Sequence, residues 1–183
     1  MILRRSQAQS NRGFTLIEIL VVIAIMGIML GLGMFAFGDG GLSDKLEQES
    51  NRLYGLIKLA QEESILNSQE LALELTRDGY VFKQLEANES TKKNEWVDIY
   101  NNRLLRQRTL TAGIELDLNL ENEKFQLTKS EPDDDEQIIR IFILSSGELT
   151  AFNLQLRIGQ LEEYFEIEGK ENGEIQLQRK QDS

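Results

Sequence analysis

The side chains that most often carry out chemistry in proteins are missing from this sequence. It has no histidine, the commonest general base and metal ligand, and no cysteine, which removes disulfides, thiolate metal sites and thiol nucleophiles. An enzyme would have to use carboxylates, serine or lysine, and the sequence shows no motif that pairs two of these groups as an active site would. We therefore predict no catalytic residue, no cofactor and no metal ligand, and we expect that the protein is not an enzyme.

One carboxylate occupies a position that requires an explanation. Residues 14–37 are almost entirely apolar, with Thr15 and Glu18 as the interruptions. An ionised carboxylate inside a membrane costs about 2.5 to 3.5 kcal/mol on insertion scales. Because Glu18 lies near the start of the run, it could extend to water at the membrane surface. Alternatively, a positive charge close to it would offset the cost of burial.

The apolar run is long enough to cross a bilayer. Its 24 residues would form a helix of about 36 Å, and a hydrocarbon core is about 30 Å thick. The preceding segment, residues 1–13, carries Arg4, Arg5 and Arg12 and no acid, so this end should stay in the cytoplasm and the rest should lie on the far side of the membrane. An ordinary secretory signal has a shorter apolar region and ends in small residues, which favours a retained anchor here.

The junction between the basic leader and the apolar run has a specific sequence, GFTLIEILVVIAI over residues 13–25. This string resembles the processing signal of type IV pilins and type II secretion pseudopilins. The resemblance implies that a prepilin peptidase cuts after Gly13 and methylates the new amino terminus, giving N-methylphenylalanine at Phe14. It also implies an assembly role for Glu18, whose carboxylate would meet the charged amino terminus of a neighbouring subunit in a filament.

Three further segments extend the resemblance over nearly the whole chain, to the H class of minor pseudopilins. They are residues 59–65, 77–80 and 146–150. The resemblance implies a structural subunit at or near the tip of a periplasmic pseudopilus, which supports export of folded proteins across the outer membrane. The implied partners are other minor pseudopilins, the major pseudopilin, prepilin peptidase and the inner membrane, with exported proteins as further candidates.

Three other classes of protein compete with this interpretation. The first is a minor pilin of a type IV pilus or competence apparatus, the second a membrane-tethered enzyme, and the third an adhesin-like module with an ordinary anchor. Nucleic acid is not expected as a partner, because 31 acidic residues against 20 basic ones give a net charge of −11. The cleavable leader and Glu18 argue against the adhesin.

The polarity pattern divides the chain into four parts. They are a leader peptide at 1–13, a transmembrane and assembly helix at 14–37, an amphipathic continuation of the stalk helix at 38–68, and a periplasmic β-rich head at 69–183. In the third part, leucines at three- and four-residue steps predict one buried helix face, and Glu47, Glu49 and Arg52 are assigned to the remainder. Ser43 is expected to cap this helix if it starts afresh.

Past Asn67 the pattern changes to the alternation of strands. Hairpins are predicted around Asp78-Gly79 and Asn172-Gly173, a half-buried strand at 114–120, and a central strand at 138–144 followed by another at 149–158. We predict an α+β fold, in which a long N-terminal hydrophobic helix, a pilin-like stalk, packs on an antiparallel β-sheet or β-sandwich head.

Polar segments between these strands are expected to form loops. Residues 86–95 are predicted to be a mobile loop before Trp96, for which core or rim packing is favoured over an exposed contact role. Residues 131–136 form the densest acidic run. Their spacing does not fit an EF-hand, so a solvated loop is favoured over a calcium site.

Overall fold

The computed structural model describes residues 16–36, 40–99, 102–120, 123–127 and 138–182. The chain divides into two units, residues 1–40 and 41–183. Helix α1, Leu16–Ala36, belongs to the first unit. The predicted acidic run at 131–136 lies outside the described residues, as do Gly13 and Phe14.

Helix α2, Gly40–Asn67, places its apolar stripe in the core of the second unit. Leu53, Ile57 and Ala60 have no exposed surface, as the three- and four-residue spacing predicts. The capping role predicted for Ser43 is wrong, because the helix already begins at Gly40. The Ser43 hydroxyl instead donates a hydrogen bond to the Glu163 carboxylate.

Ten strands follow within the described residues, and every pairing between them is antiparallel. In chain order they are β1 (Leu71–Leu75), β2 (Gly79–Asn88), β3 (Lys93–Asp98), β4 (Arg108–Thr109), β5 (Ile114–Leu120), β6 (Glu123–Phe125), β7 (Arg140–Ile143), β8 (Phe152–Ile158), β9 (Glu163–Gly169) and β10 (Ile175–Gln181). Sheet A has the order β3-β2-β1-β7, with β4 also paired to β2, and sheet B has the order β10-β9-β8-β5-β6.

Both sheets turn one face towards a single hydrophobic core. In sheet A, Leu73 lies opposite Phe82 on one side and Ile141 on the other. In sheet B, Leu154 lies opposite Leu118 and Ile167. These side chains and the α2 stripe form one cluster, and each fully buried residue of this kind contributes about 1.5–3 kcal/mol. The predicted α+β fold, with a helix packed on antiparallel sheets, is confirmed.

Two of the strand-level predictions are wrong. The segment at 138–144 is not central, because β7 is the last strand of sheet A, and its continuous apolar character arises because Phe142 points away from the core. Residues 86–95 are not a loop, because β2 and β3 pair as far as Asn88 and Lys93. The Asn88 side chain accepts hydrogen bonds from the Ser90 and Thr91 N–H groups and so stabilises a tight connection.

One glutamine ties α2 to a turn beside each sheet. The Gln61 amide donates to the carbonyl oxygens of Gly147, at 2.7 Å, and Gly173, at 2.8 Å. Gly147 lies in the turn after β7, and Gly173 lies in the β9–β10 hairpin. Gly173 has φ +85°, and a Cβ on it would overlap the Gly147 carbonyl oxygen, so the close approach requires glycine.

Candidate functional site

Helix α1 exposes apolar side chains on all sides. The large apolar residues described on it, from Leu16 to Met29, are 42–83% exposed. A helix that is apolar all round is buried in a membrane or against other protein when it functions. Over the described residues, no helix has the length and apolarity that a membrane crossing requires.

Of the three predicted site residues, Glu18 is the one that the structure describes. It lies in the first turn of α1, where the positive end of the helix dipole favours a carboxylate by about 0.3–1 kcal/mol. The structure therefore places the predicted assembly carboxylate at a helix start that tolerates negative charge. The predicted cleavage position, Gly13, and the predicted methylated residue, Phe14, precede the described part of the chain.

A second charged group lies inside the head, where sequence reasoning missed it. Glu49 on α2 is 3% exposed and not on the solvent side of the helix. It forms an ion pair with Arg52, and its two carboxylate oxygens accept hydrogen bonds at 3.4 Å from the Tyr80 hydroxyl and the Thr111 hydroxyl. This network joins α2 to β2 and to the segment before β5.

Burial of this network changes the acidity of two of its members. Burial, and after it the negative charge of Glu49 beside the ring, raise the pKa of Tyr80 to about 12. The hydrogen bond from Arg52 to Glu49 raises the pKa of the guanidinium. Tyr80 therefore stays neutral and Arg52 stays charged well beyond physiological conditions, so the network acts as a fixed clamp and not as a proton-transfer site.

The spacing of α2 contains a signal for Glu49. It lies three residues after Leu46 and four before Leu53, so it falls on the apolar stripe. Assigning faces by residue type placed it with the exposed residues. Assigning faces by position would have predicted a buried carboxylate, which then requires a partner.

The segments that carried the wider resemblance meet in the structure. Ser64 on α2 donates a hydrogen bond at 3.1 Å to the Leu144 carbonyl, next to the Gln61 contact with Gly147. The segment at 59–65 thus packs on the turn that precedes 146–150. In the third segment, 77–80, Tyr80 joins the Glu49 network. These residues hold α2 on sheet A, so the motif positions are explained by packing.

Trp96 lies on the face of sheet A that points away from the core, as its pairing with Leu85 requires. It is half-buried, with its ring 5.6 Å from that of Phe142 and the Arg140 guanidinium 5.9 Å from its centroid. Trp96 therefore packs at the rim of the domain. Within the described residues, no group of three or more acidic side chains could hold a metal ion.

Both the start of this chain and most of its length resemble known proteins. Residues 9–34 match the prokaryotic N-terminal methylation motif. The type II secretion system protein H of Pseudomonas aeruginosa is 36% identical over 153 residues, which are 81% of this chain and 84% of that protein. The protein of the same name from Vibrio cholerae is 27% identical, covering 92% of this chain and 94% of the relative.

Solved structures agree with these sequence relatives. The minor pseudopilin EpsH from the type 2 secretion system of Vibrio cholerae is similar with a TM-score of 0.57 and 27% identity, over 73% of this chain and 96% of that chain. GspH of E. coli shares the fold, with a TM-score of 0.55 at 15% identity, over 78% of this chain and 94% of its own. The chain belongs to the type II secretion system protein H family, the minor pseudopilins.

Proposed function

We propose that this protein is a structural subunit at or near the tip of a periplasmic pseudopilus and that it supports export of folded proteins across the outer membrane. The observation that carries this proposal is the methylation motif at residues 9–34 joined to a helix that is apolar on all sides. Such a helix requires burial, and a filament of packed subunits provides it. The proposed role is structural and involves no reaction.

The proposed maturation begins with prepilin peptidase at the inner membrane. Cleavage after Gly13 removes the basic leader and leaves Phe14 as the methylated first residue. Residues 14–37 then anchor the protein in the inner membrane, residues 38–68 continue the stalk, and the head at 69–183 lies in the periplasm. The arginines of the leader support this orientation, because positive residues remain on the cytoplasmic side.

The proposed role of Glu18 is to select a neighbour during assembly. Its carboxylate would form an ion pair with the amino group of Phe14 on another subunit, either another minor pseudopilin or the major one. An opposite charge within about 4–6 Å stabilises the ionised form and offsets the loss of hydration. An unpaired carboxylate in the filament core would be costly, so Glu18 would reject misaligned neighbours as well as hold the correct one.

Intact mass spectrometry of the protein from its own membrane tests the maturation. We expect a chain that begins at N-methylated Phe14 and whose formation depends on prepilin peptidase. A chain that retains residues 1–13, or that is cut beyond residue 37, would contradict the proposal.

Substitution of Glu18 tests the assembly role. Glu18→Gln keeps the shape but removes the charge, and we expect its incorporation into sheared pseudopili to fall at least tenfold, with secretion falling in parallel. The matched control is Glu47→Gln, an exposed carboxylate on α2, which should incorporate as the wild type does. Normal incorporation of Glu18→Gln would rule out the charge-pairing role.

The alternative of a minor pilin on a type IV pilus or competence apparatus is not favoured. The four matching relatives are all named type II secretion system protein H. Exported proteins are further candidate partners. Comparing the proteins secreted by cells with and without this subunit would identify which exports depend on it.

A further inference from the structure

The β9–β10 hairpin contains the only Asn-Gly pair in the sequence, Asn172-Gly173. An asparagine followed by glycine is the pair in which the side-chain amide is most readily lost, because glycine has no Cβ to obstruct the approach of its own backbone nitrogen to the preceding side chain. Asn172 is exposed, so water reaches it. The residue types at this turn therefore indicate a site of spontaneous deamidation.

The chemistry of such a site requires only water. The Gly173 backbone nitrogen attacks the Asn172 Cγ atom and gives up its proton, while the Cγ–Nδ2 bond breaks and the departing nitrogen takes up a proton and leaves as ammonia. The product is a cyclic succinimide. Water then opens the ring at one of its two carbonyl groups, which gives either aspartate or isoaspartate, in which the main chain passes through the side-chain carbon. The reaction changes no oxidation state.

Packing requires glycine at the second position of the pair. Gly173 has φ +85°, a conformation that other residues rarely adopt. A Cβ on it would overlap the Gly147 carbonyl oxygen and lie 2.7 Å from Nε2 of Gln61. A side chain at position 173 would therefore separate the hairpin from α2 and from the turn after β7. The fold requires the same residue that makes the pair reactive.

Hydrogen bonds hold the reacting groups in place in the folded head. The Gly173 N–H, whose nitrogen would attack, donates to the Lys170 carbonyl at 2.9 Å. The Asn172 Oδ1 atom accepts from the Glu174 N–H at 3.1 Å, which fixes the orientation of the carboxamide. The Gln61 amide donates to the Gly173 carbonyl at 2.8 Å. The nitrogen and the carbon that must meet are therefore both restrained, so the folded turn should react slowly.

Among these bonds, the one from Gln61 joins the reactive pair to another element of the fold. The neighbouring Glu171 carbonyl accepts a longer bond, 3.3 Å, from the Leu149 N–H. A hairpin of two strands is marginally stable on its own, and β10 is an edge strand of sheet B, whereas α2 is part of the core. Weakly held parts of a fold open locally without global unfolding. The turn can therefore open while the core stays intact, and the Gln61 bond opposes that opening.

We propose that Asn172 is a modification site, which is deamidated by water when the β9–β10 turn opens, and that the Gln61 hydrogen bond suppresses this reaction in the folded head. The modification is the hydrolysis of a side-chain amide through a succinimide. It concerns the head alone and does not rest on the proposed function.

The two products affect the turn differently. Aspartate at position 172 keeps an oxygen that can accept the Glu174 N–H but adds a negative charge beside Glu171 and Glu174. Isoaspartate lengthens the main chain before Gly173, at a contact that has no room for an added Cβ. The longer chain cannot restore the bond to Gln61. The modification therefore records an opening of the turn and prevents the turn from closing again.

Peptide mass spectrometry of the full chain in detergent micelles tests the proposal. The rate at which residue 172 becomes aspartate or isoaspartate is measured in native buffer and in urea, for the wild type and for Gln61→Leu. The matched control is Ser64→Ala, which removes another hydrogen bond from α2, to the Leu144 carbonyl, without a change at the hairpin. We expect the wild type to react at least tenfold more slowly in native buffer than in urea. Gln61→Leu should react about fivefold faster than the wild type in native buffer, as the loss of one hydrogen bond predicts, and at the wild-type rate in urea. Ser64→Ala should match the wild type in both.

Each other result contradicts one part of the proposal. A lack of product at residue 172 in urea would overturn the modification site. Equal wild-type rates in native buffer and in urea would overturn the protection. An unchanged rate in Gln61→Leu, or equal acceleration in Ser64→Ala, would overturn the role of Gln61. If circular dichroism shows that Gln61→Leu does not fold, the wild type decides in urea below its unfolding transition. Deamidation that accelerates there supports opening of the turn, and deamidation that begins only with global unfolding overturns it.

Discussion

Sheets A and B cover the same core with similar apolar inner faces, but the residue composition of their outer faces, which point away from the core, differs. Sheet B alternates apolar and polar residues, and the aromatic ring of Tyr164 on its outer face lies beneath the Arg157 guanidinium at 3.8 Å. Sheet A places the packed rings of Trp96 and Phe142 outside. Each outer face buries one carboxylate, Glu74 on sheet A and Glu166 on sheet B, both 7% exposed, so the aromatic pair is what distinguishes sheet A. Its outer face is therefore partly packed, and these packed residues should contribute more to stability than surface residues do.

The largest difference in stability between the two outer faces should come from their arginine ion pairs, Arg140 with Glu74 on sheet A and Arg157 with Asp182 on sheet B. Arg140→Ala would leave Glu74, which is 7% exposed, without its partner, and we expect a loss of about 3 kcal/mol in the free energy of unfolding. Arg157→Ala removes an ion pair with the exposed Asp182 and a ring contact, and should cost about 1 kcal/mol. Urea unfolding measures both, and equal losses would remove the distinction between the faces.

The aromatic residues should give the next largest difference. Trp96→Ala removes a half-buried ring and its contact with Phe142, so we expect a loss of about 2 kcal/mol. Tyr164→Ala on sheet B should cost about 0.5–1 kcal/mol, because the ring contact that it removes lies at the surface. A larger loss from Tyr164→Ala would show that sheet B, and not sheet A, has the second packed face.

The buried hydroxyl on the inner face of sheet A should make stability depend on alkaline pH. Because the pKa of Tyr80 is about 12 in the folded protein and about 10 when unfolded, its contribution is complete below pH 10 and is lost as pH rises through 12. The loss is about 1.4 kcal/mol per pH unit in this range. Tyr80→Phe should lack this component in unfolding measured at pH 9 and 11. Identical pH slopes would contradict the assignment.

The smallest effect concerns an acid on the outer face of sheet B. Burial opposes ionisation of Glu166, yet hydrogen bonds from Lys180 and Asn153 hold its pKa below the ordinary value. Its contribution is present above the ordinary glutamate pKa and is lost as pH falls through the lowered one. We expect Glu166→Gln to flatten the acid limb of the thermal midpoint slightly. The exposed Glu115→Gln is the control and should not change it.

Local patterns predicted much of the fold. The strict alternation at 114–120 corresponds to the predicted strand, because a strand with one buried face has apolar residues at every second position. The turn at Asp78-Gly79 corresponds to the predicted hairpin. The position of β7 could not be predicted in the same way. Its apolar run is compatible with a central strand. Phe142 lies outside because the register with β1 turns Ile141 and Ile143 inwards, and there it packs against Trp96, which is distant in sequence.

Some features of the candidate site can likewise be predicted from local sequence, and others depend on tertiary structure. The motif around Gly13, Phe14 and Glu18 is local in sequence, so it could be recognised without a structure, and its roles remain predictions. For Glu49 the helix spacing indicates burial, but its partners could not be predicted, because Tyr80 and Thr111 come from other elements of the fold.

The double hydrogen bond of Gln61 has a mechanical consequence for the head. One amide holds the turn after β7 and the β9–β10 hairpin to the same point on α2. Movement of either turn along the helix would break its own bond to that amide and leave a backbone carbonyl unpaired, at a cost of about 1 kcal/mol. The amide therefore fixes the register of both turns relative to α2, in addition to the shared core that joins the helix to both sheets.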